Sequence, residues 1–199
     1  FMIYYLIERI LKQDDFSKVV FVAPTNALCN QVFAEIEAKF KPKPGDMGIV
    51  GIFTSEVRVR SRETCRVLVT NPACFEILLL HHSSNTWRHN ISHVVLDEVH
   101  LISSEDGAVW EHILGLIRCP FLALSATMGN PFHFKNWLSS ICSANDNTAT
   151  NQVYLVPKQS ADSEKNQYFE PIDRMQPLEY KLYAPKTTAT SGEMFEIHP

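Results

Sequence analysis

At 199 residues, 45% hydrophobic and 20% charged, the chain is long enough for one substantial domain, and its composition is that of an ordinary globular protein rather than a disordered one. A net charge of -4 excludes a global basic field, so any nucleic-acid contact has to come from local donors such as helix N-termini and backbone N–H groups. The five cysteines, Cys29, Cys65, Cys74, Cys119 and Cys142, contain no C-x-x-C pair and are odd in number, which argues against a disulfide framework and for a reducing compartment, the cytoplasm or nucleus.

The chain opens on Phe-Met-Ile-Tyr-Tyr, with no basic region before it and no small-residue cleavage site after it, and reads as the edge of a fragment. Apolar residues at helical spacing predict helices over 2–12, 26–40, 73–81, 108–117 and 131–140. Short β-branched runs predict strands over 18–23, 48–53, 66–70, 93–96 and 120–124. The longest apolar run, 74–80, is broken by Glu76 and is far below the roughly 20 residues that cross a bilayer, so no membrane span is expected.

Strands alternating with helices predict an α/β fold, a mostly parallel sheet with helices on both faces. The continuously apolar runs 19–22 and 94–96 read as central strands. Residues 143–152 turn polar and read as a surface loop, with a short strand at 153–156. After that only 177–183 is strand-like, so 143–199 reads as a linker and lead-in rather than a second core.

The strongest chemical signal follows the strand at 93–96, in Asp97-Glu98-Val99-His100. Ligands of open parallel sheets bind at the carboxyl ends of the strands. An Asp there can hold a hydrated Mg²⁺ that bridges nucleotide phosphates, and the Glu after it can orient or deprotonate an attacking water. Taken alone, the tetrad also fits a solvated acidic turn. The strand at 120–124 delivers Ser125-Ala126-Thr127 to the same edge, where short hydroxyls can bond to the acidic cluster. Two strand-to-helix junctions, Pro24-Thr25-Asn26 and Thr70-Asn71-Pro72, offer free N–H groups that could follow successive phosphates, although each also fits a plain N-cap.

In order, Pro24-Thr25-Asn26-Ala27-Leu28-Cys29-Asn30-Gln31, Thr70-Asn71-Pro72, Asp97-Glu98-Val99-His100 and Ser125-Ala126-Thr127 resemble motifs Ia, Ib, II and III of superfamily-two DExH-box helicases. Phe53-Thr54, residues 70–80 and residues 110–127 are similar to the superkiller-related group, in particular the interferon-inducible DExD/H-box helicase sixty-like proteins. The resemblance runs from about residue 1 to 138 and is loose beyond that. It implies a RecA-like first motor domain over 1–142, incomplete at its N-terminus, with 143–199 leading into a second motor domain.

The implied activity is that of an ATP- and Mg²⁺-dependent RNA helicase. Asp97 would hold Mg²⁺ through water, Glu98 would serve hydrolysis, and His100 with Ser125, Ala126 and Thr127 would couple it to motion. Pro24, Thr25, Asn26, Thr70, Asn71 and Pro72 would face single- or double-stranded RNA, or DNA, and Asn26 stands where many relatives carry a basic residue. The resemblance also implies an antiviral role, and of the two compartments that the cysteines favour the cytoplasm is expected.

One departure bears on catalysis: G-x-x-x-x-G-K-[ST] does not occur in the chain. The chain by itself is therefore expected to hydrolyse no ATP and to be only marginally stable. A non-catalytic nucleic-acid-binding adaptor on the same fold is the alternative.

Other patterns read as structural. His89 and His93 have H-x₃-H spacing but no completing ligand, so zinc is not expected. The aromatics Phe1, Tyr4, Tyr5, Trp110 and Trp137 read as core. No G-x-S-x-G nucleophile elbow is present.

Overall fold

The computed structural model describes residues 2–13, 16–41, 48–81, 85–104, 107–126, 128, 130–145, 153–155, 180–184 and 193–197. It comprises two compact units, 1–153 and 154–199.

In the first unit the chain runs α1 (Met2–Gln13), β1 (Lys18–Val22), α2 (Asn26–Lys39), β2 (Val50–Phe53), β3 (Arg58–Val59), β4 (Val67–Thr70), α3 (Pro72–Leu80), α4 (Asn85–His89), β5 (Ile91–Leu96), α5 (Gly107–Leu116), β6 (Phe121–Ala123) and α6 (Pro131–Asn145). The strands form one sheet in the order β3-β2-β4-β1-β5-β6. Every pairing is parallel except β2 with β3. This is the α/β arrangement that the strand-helix alternation implies.

Two cores explain why the central strands are apolar throughout. Side chains alternate across a pleated strand, so Val19 and Phe21 of β1 join Val67, Val69 and Val95 against Ile7 and Ile10 of α1 and Cys29 and Ile36 of α2. Val20 and Val22 face the other way, with Leu68, Val94 and Leu96, against Phe75, Leu78 and Leu79 of α3 and Trp110, Ile113 and Leu114 of α5. Helices therefore cover both faces. Lys18, buried at the start of β1, is satisfied: its Nζ donates to the carbonyls of Glu63 at 2.8 Å and Cys65 at 2.5 Å.

The element bounds shift by a few residues from the expected ones, and α6 runs on to Asn145, into the expected surface loop. Two of the helices and strands of the first unit were not expected. β3 holds two exposed residues, and α4 is five residues long, so neither repeats enough to show periodicity. At 153–155 the backbone forms no regular strand, and Val156 lies outside the described residues.

Among the aromatics read as core, Trp110 is buried, Trp137 is half-buried and stacks on Phe134 at 5.7 Å, and Tyr4 lies under the Lys39 ammonium at 4.3 Å. Tyr5 corrects that reading. It is 67% exposed, because one residue of helix rotates it about 100° away from the face that Tyr4 turns toward α2. Phe1 lies outside the described residues. His89 ends α4 and His93 sits inside β5, so no helical face presents the pair. None of the described helices is long and apolar enough to cross a membrane.

In the second unit β7 (Tyr180–Ala184) and β8 (Glu193–Ile197) pair antiparallel, Tyr180 opposite Ile197 and Ala184 opposite Glu193. A strand near 177–183 is expected from the sequence; its partner is not.

Candidate nucleotide and nucleic-acid edge

Parallel register brings the strand ends into one row. Ala123 pairs with Leu96, Leu96 with Val22, Val22 with Thr70, Thr70 with Phe53 and Phe53 with Arg58. Each expected motif is the segment that leaves this row, so the parallel sheet itself gathers them at its carboxyl edge.

Past β5 the chain bends at once. Asp97 N–H still donates to the Val22 carbonyl at 2.9 Å, and Val99 N–H donates to that of Leu124 at 2.9 Å. Between them Glu98 is left-handed, with φ 52° and ψ 44°. That conformation is costly for a non-glycine residue, and such strain concentrates at functional sites. The bend breaks the alternation of the strand, and a 3-10 turn (Val99–Ser103) follows. Asp97 Oδ1 accepts from Glu98 N–H at 3.1 Å.

His100 Nδ1 lies 3.2 Å from Glu98 Oε2 and 3.3 Å from Ser125 Oγ. The contact to Glu98 is close enough for attraction but falls outside hydrogen-bond alignment, and Glu98 Oε2 is a buried oxygen without a hydrogen-bond donor among the described residues. The Ser125 hydroxyl thus meets the histidine that stands beside Glu98. Ala126 is exposed beside it, and Thr127 lies outside the described residues.

Burial raises the Asp97 pKa above the usual carboxylate value; the neighbouring Glu98 charge adds to this, and the hydrogen bond from Glu98 N–H opposes it. A raised native pKa means the native state binds the proton more tightly than the unfolded chain does. Native stability is therefore lost as pH rises through the window between the two values. Asp97→Asn should accordingly melt above the parent at pH 7, with the gap closing as pH falls toward about 3.9, the unfolded Asp value. Thermal melts across that range check it; a variant that melts lower at neutral pH would show that Asp97 is stabilised by contacts rather than strained by burial.

On the other side of β1, Thr25 caps α2, its Oγ1 accepting from Leu28 N–H at 3.3 Å. Asn71 caps α3, its Oδ1 accepting from Cys74 N–H at 2.8 Å, and Pro72 takes the first helical position. The two caps are joined: Asn71 Nδ2 donates to Asn26 Oδ1 at 2.8 Å, and Asn26 Nδ2 reaches Ser55 Oγ at 3.4 Å. Pro24 is half-buried and Thr25 exposed. Thr70 does not reach the surface. It is fully buried and its hydroxyl donates to the Phe53 carbonyl at 2.6 Å, bracing the edge from beneath.

The bridge from Asn26 to Asn71 and the turn after Phe53 were not foreseen, because residues 45 apart in sequence meet only through the β1–β4 register. A cavity of about 290 Å³, lined by Phe75, Leu79, Ile91 and Cys119, opens at the opposite edge of the sheet and belongs to neither group.

A mostly parallel sheet that gathers an acidic bend and two capped helix starts at one edge defines a RecA-like helicase fold. The DEAD/DEAH box helicase family profile matches residues 1–133, and the chain belongs to that family. The human probable ATP-dependent RNA helicase DDX60-like is 44% identical over 140 residues, covering 69% of this chain and 8% of that protein. An uncharacterized helicase of Dictyostelium discoideum is 38% identical, covering 85% and 9%, and human superkiller complex protein 2 is 27% identical, covering 93% and 13%. These relatives put the chain in the superkiller-related branch of superfamily two, and it spans only a small part of their length. Among solved structures, the DUF1998 helicase MrfA bound to DNA matches with TM-score 0.56 at 22% identity, over 67% of this chain and 21% of that one. The Pyrococcus furiosus Hef helicase domain matches with TM-score 0.51 at 21% identity, over 71% and 30%. Both are likenesses of fold.

Proposed function

We propose that residues 1–142 form the first motor domain of an ATP-dependent RNA helicase and that 143–199 lead toward a second. The observation that carries this reading is the strained bend at Glu98, which turns two adjacent carboxylates and His100 to the strand ends beside Ser125.

The acidic pair fits a cation. Asp97 is held by burial and by Glu98 in a state that disfavours its own charge, and Glu98 Oε2 lacks a donor among the described residues. No cluster of three or more metal-ligating side chains occurs among the described residues. Mg²⁺ keeps most of its waters and takes one or two carboxylates, which the adjacent Asp97 and Glu98 can supply. When bound with ATP, Mg²⁺ supplies neutralising charge to the phosphate oxygens. Asp97 would hold it through water, while Glu98 orients the attacking water and accepts its proton.

His100 then reports the state of Glu98 to Ser125. With Nδ1 protonated the ring is attracted to the carboxylate, and with Nδ1 bare it accepts from the serine hydroxyl. This switch of partners is the coupling we assign to His100, Ser125, Ala126 and Thr127. The capped starts of α2 and α3 would meet the sugar-phosphate strand through Pro24, Thr25, Asn71 and Pro72, with Asn26 and Thr70 bracing them. Four free cysteine thiols among the described residues, three of them buried, suit the reducing cytoplasm.

The test is ATP hydrolysis by the full-length protein with and without single-stranded RNA. RNA-stimulated turnover is the expected result. RNA binding with no turnover would instead identify a nucleic-acid-binding adaptor on the same fold.

A further inference from the structure

We propose that Arg58 carries the phosphate-contacting charge of this edge in place of residue 26, an inference that rests on the reading of the edge as a nucleic-acid surface. Asn26 is uncharged, and both ends of its amide are engaged internally, by Asn71 and Ser55. A lysine or arginine there could not accept the hydrogen bond from Asn71 Nδ2, since neither side chain has an acceptor. The residue that ties the two helix starts together therefore offers no charge to a phosphate.

Arg58 stands in the terminal row of the sheet, opposite Phe53, which in turn pairs with Thr70. Strands are about 4.8 Å apart, so its backbone lies roughly 10 Å from the Thr70–Asn71 junction, within reach of a strand laid across that junction. The side chain is exposed, and its guanidinium lies 4.6 Å from the Phe53 ring centroid, which orients the group without neutralising it. Its charge reaches the first turn of α3: at the Cys74 thiol, where burial raises the pKa, Arg58 acts in the opposite direction.

Other nearby cations are committed. Arg60 is held by Glu37 at 2.7 Å and by the Val50 carbonyl, Arg62 by Glu63 at 2.7 Å, and Lys18 by backbone carbonyls. Arg58 has no carboxylate partner among the described residues. The first turn of α3 offers a companion donor: Pro72 has no N–H and Asn71 occupies that of Cys74, which leaves the Ala73 N–H unclaimed among the described residues. A guanidinium and a backbone N–H beside one another suit a backbone phosphate and carry no base preference.

The experiment is fluorescence anisotropy of the full-length protein with labelled single-stranded RNA, over 50–200 mM salt. One phosphate contact on a single strand contributes about 0.7 to the slope of log affinity against log salt, or roughly five-fold in affinity at 0.1 M. Arg58→Gln, which keeps a stem over Phe53, should weaken binding about five-fold and flatten the slope by about 0.7. Arg58→Lys should keep the slope, and Asn26→Lys added to Arg58→Gln should restore it. Arg88→Gln, at the opposite edge, should change neither. If Arg58→Gln matches the parent in affinity and slope while the parent binds RNA, this inference falls and the helicase reading stands. If the parent binds no RNA, both fall.

Discussion

Glu98→Gln in the full-length protein is expected to lower RNA-stimulated ATP turnover by about 10²–10⁴-fold, the usual contribution of a positioned general base, while RNA binding persists. Glutamine keeps the shape of the side chain and one acceptor oxygen, so the left-handed bend and the contact with Asp97 Oδ1, which runs through the backbone N–H of residue 98, are retained. What is lost is the basic oxygen beside His100. The loss should therefore fall on kcat, with little change in KM, as for an interaction made in the transition state rather than in substrate binding. Steady-state kinetics with saturating RNA checks this. Turnover within a few-fold of the parent would remove Glu98 from the chemistry and leave the acidic bend as a cation anchor at most.

In the 199-residue chain the same assay should register no turnover in either form, because the sequence holds no glycine-rich Lys-Thr loop to cradle the phosphates.

What could be read in advance is what repeats or clusters locally. β1 and β5 announce themselves as apolar runs because helices bury both of their faces, and the acidic tetrad lies within four consecutive residues. The motif order then follows from parallel topology, since every strand but the antiparallel β3 delivers its C-terminal residue to the same edge. What could not be read depends on register and on backbone signs. Glu98 has no sequence feature that foretells a positive φ; glycine would, and the carboxylate displaces it. The direction of the Ser125 hydroxyl toward His100 is set by how far past β6 the chain runs before it turns. Arg58 is hidden for a different reason: a two-residue antiparallel strand is too short for any alternation, and the residue gains meaning only when Phe53 and Thr70 fall into line with it.

Gly107→Ala and Gly115→Ala, two identical changes in α5, should move stability in opposite directions. Helix propensity alone favours both, although Gly107 opens α5 and Gly115 is its next-to-last residue, so alanine gains less there than the roughly 0.5–1 kcal/mol it gains over glycine in a helix interior. At Gly115 nothing lies within 4 Å of the added carbon, so that smaller gain meets no steric cost and should appear as a modestly higher melting temperature. At Gly107 the added carbon would overlap the carbonyl of Ile102, which is backbone and cannot rotate away. Gly107 N–H also donates to the Ser104 carbonyl at 3.0 Å, so the helix start and the end of the 3-10 turn are pinned to each other. Relieving the overlap requires the turn to shift, at the roughly 1–3 kcal/mol or more typical of overpacking, which outweighs the propensity gain. For a domain of this size each kcal/mol moves the midpoint by about 2–4 °C, so the two variants should separate clearly in a thermal melt. The turn that shifts also carries His100, which meets Glu98 and Ser125 from within it. Gly107→Ala should therefore also weaken RNA stimulation of turnover in the full-length protein, and Gly115→Ala should not. Equal upward shifts in both melts would mean that the close approach of α5 to the turn is relieved without cost, and that the glycine has no part in holding His100 beside Glu98.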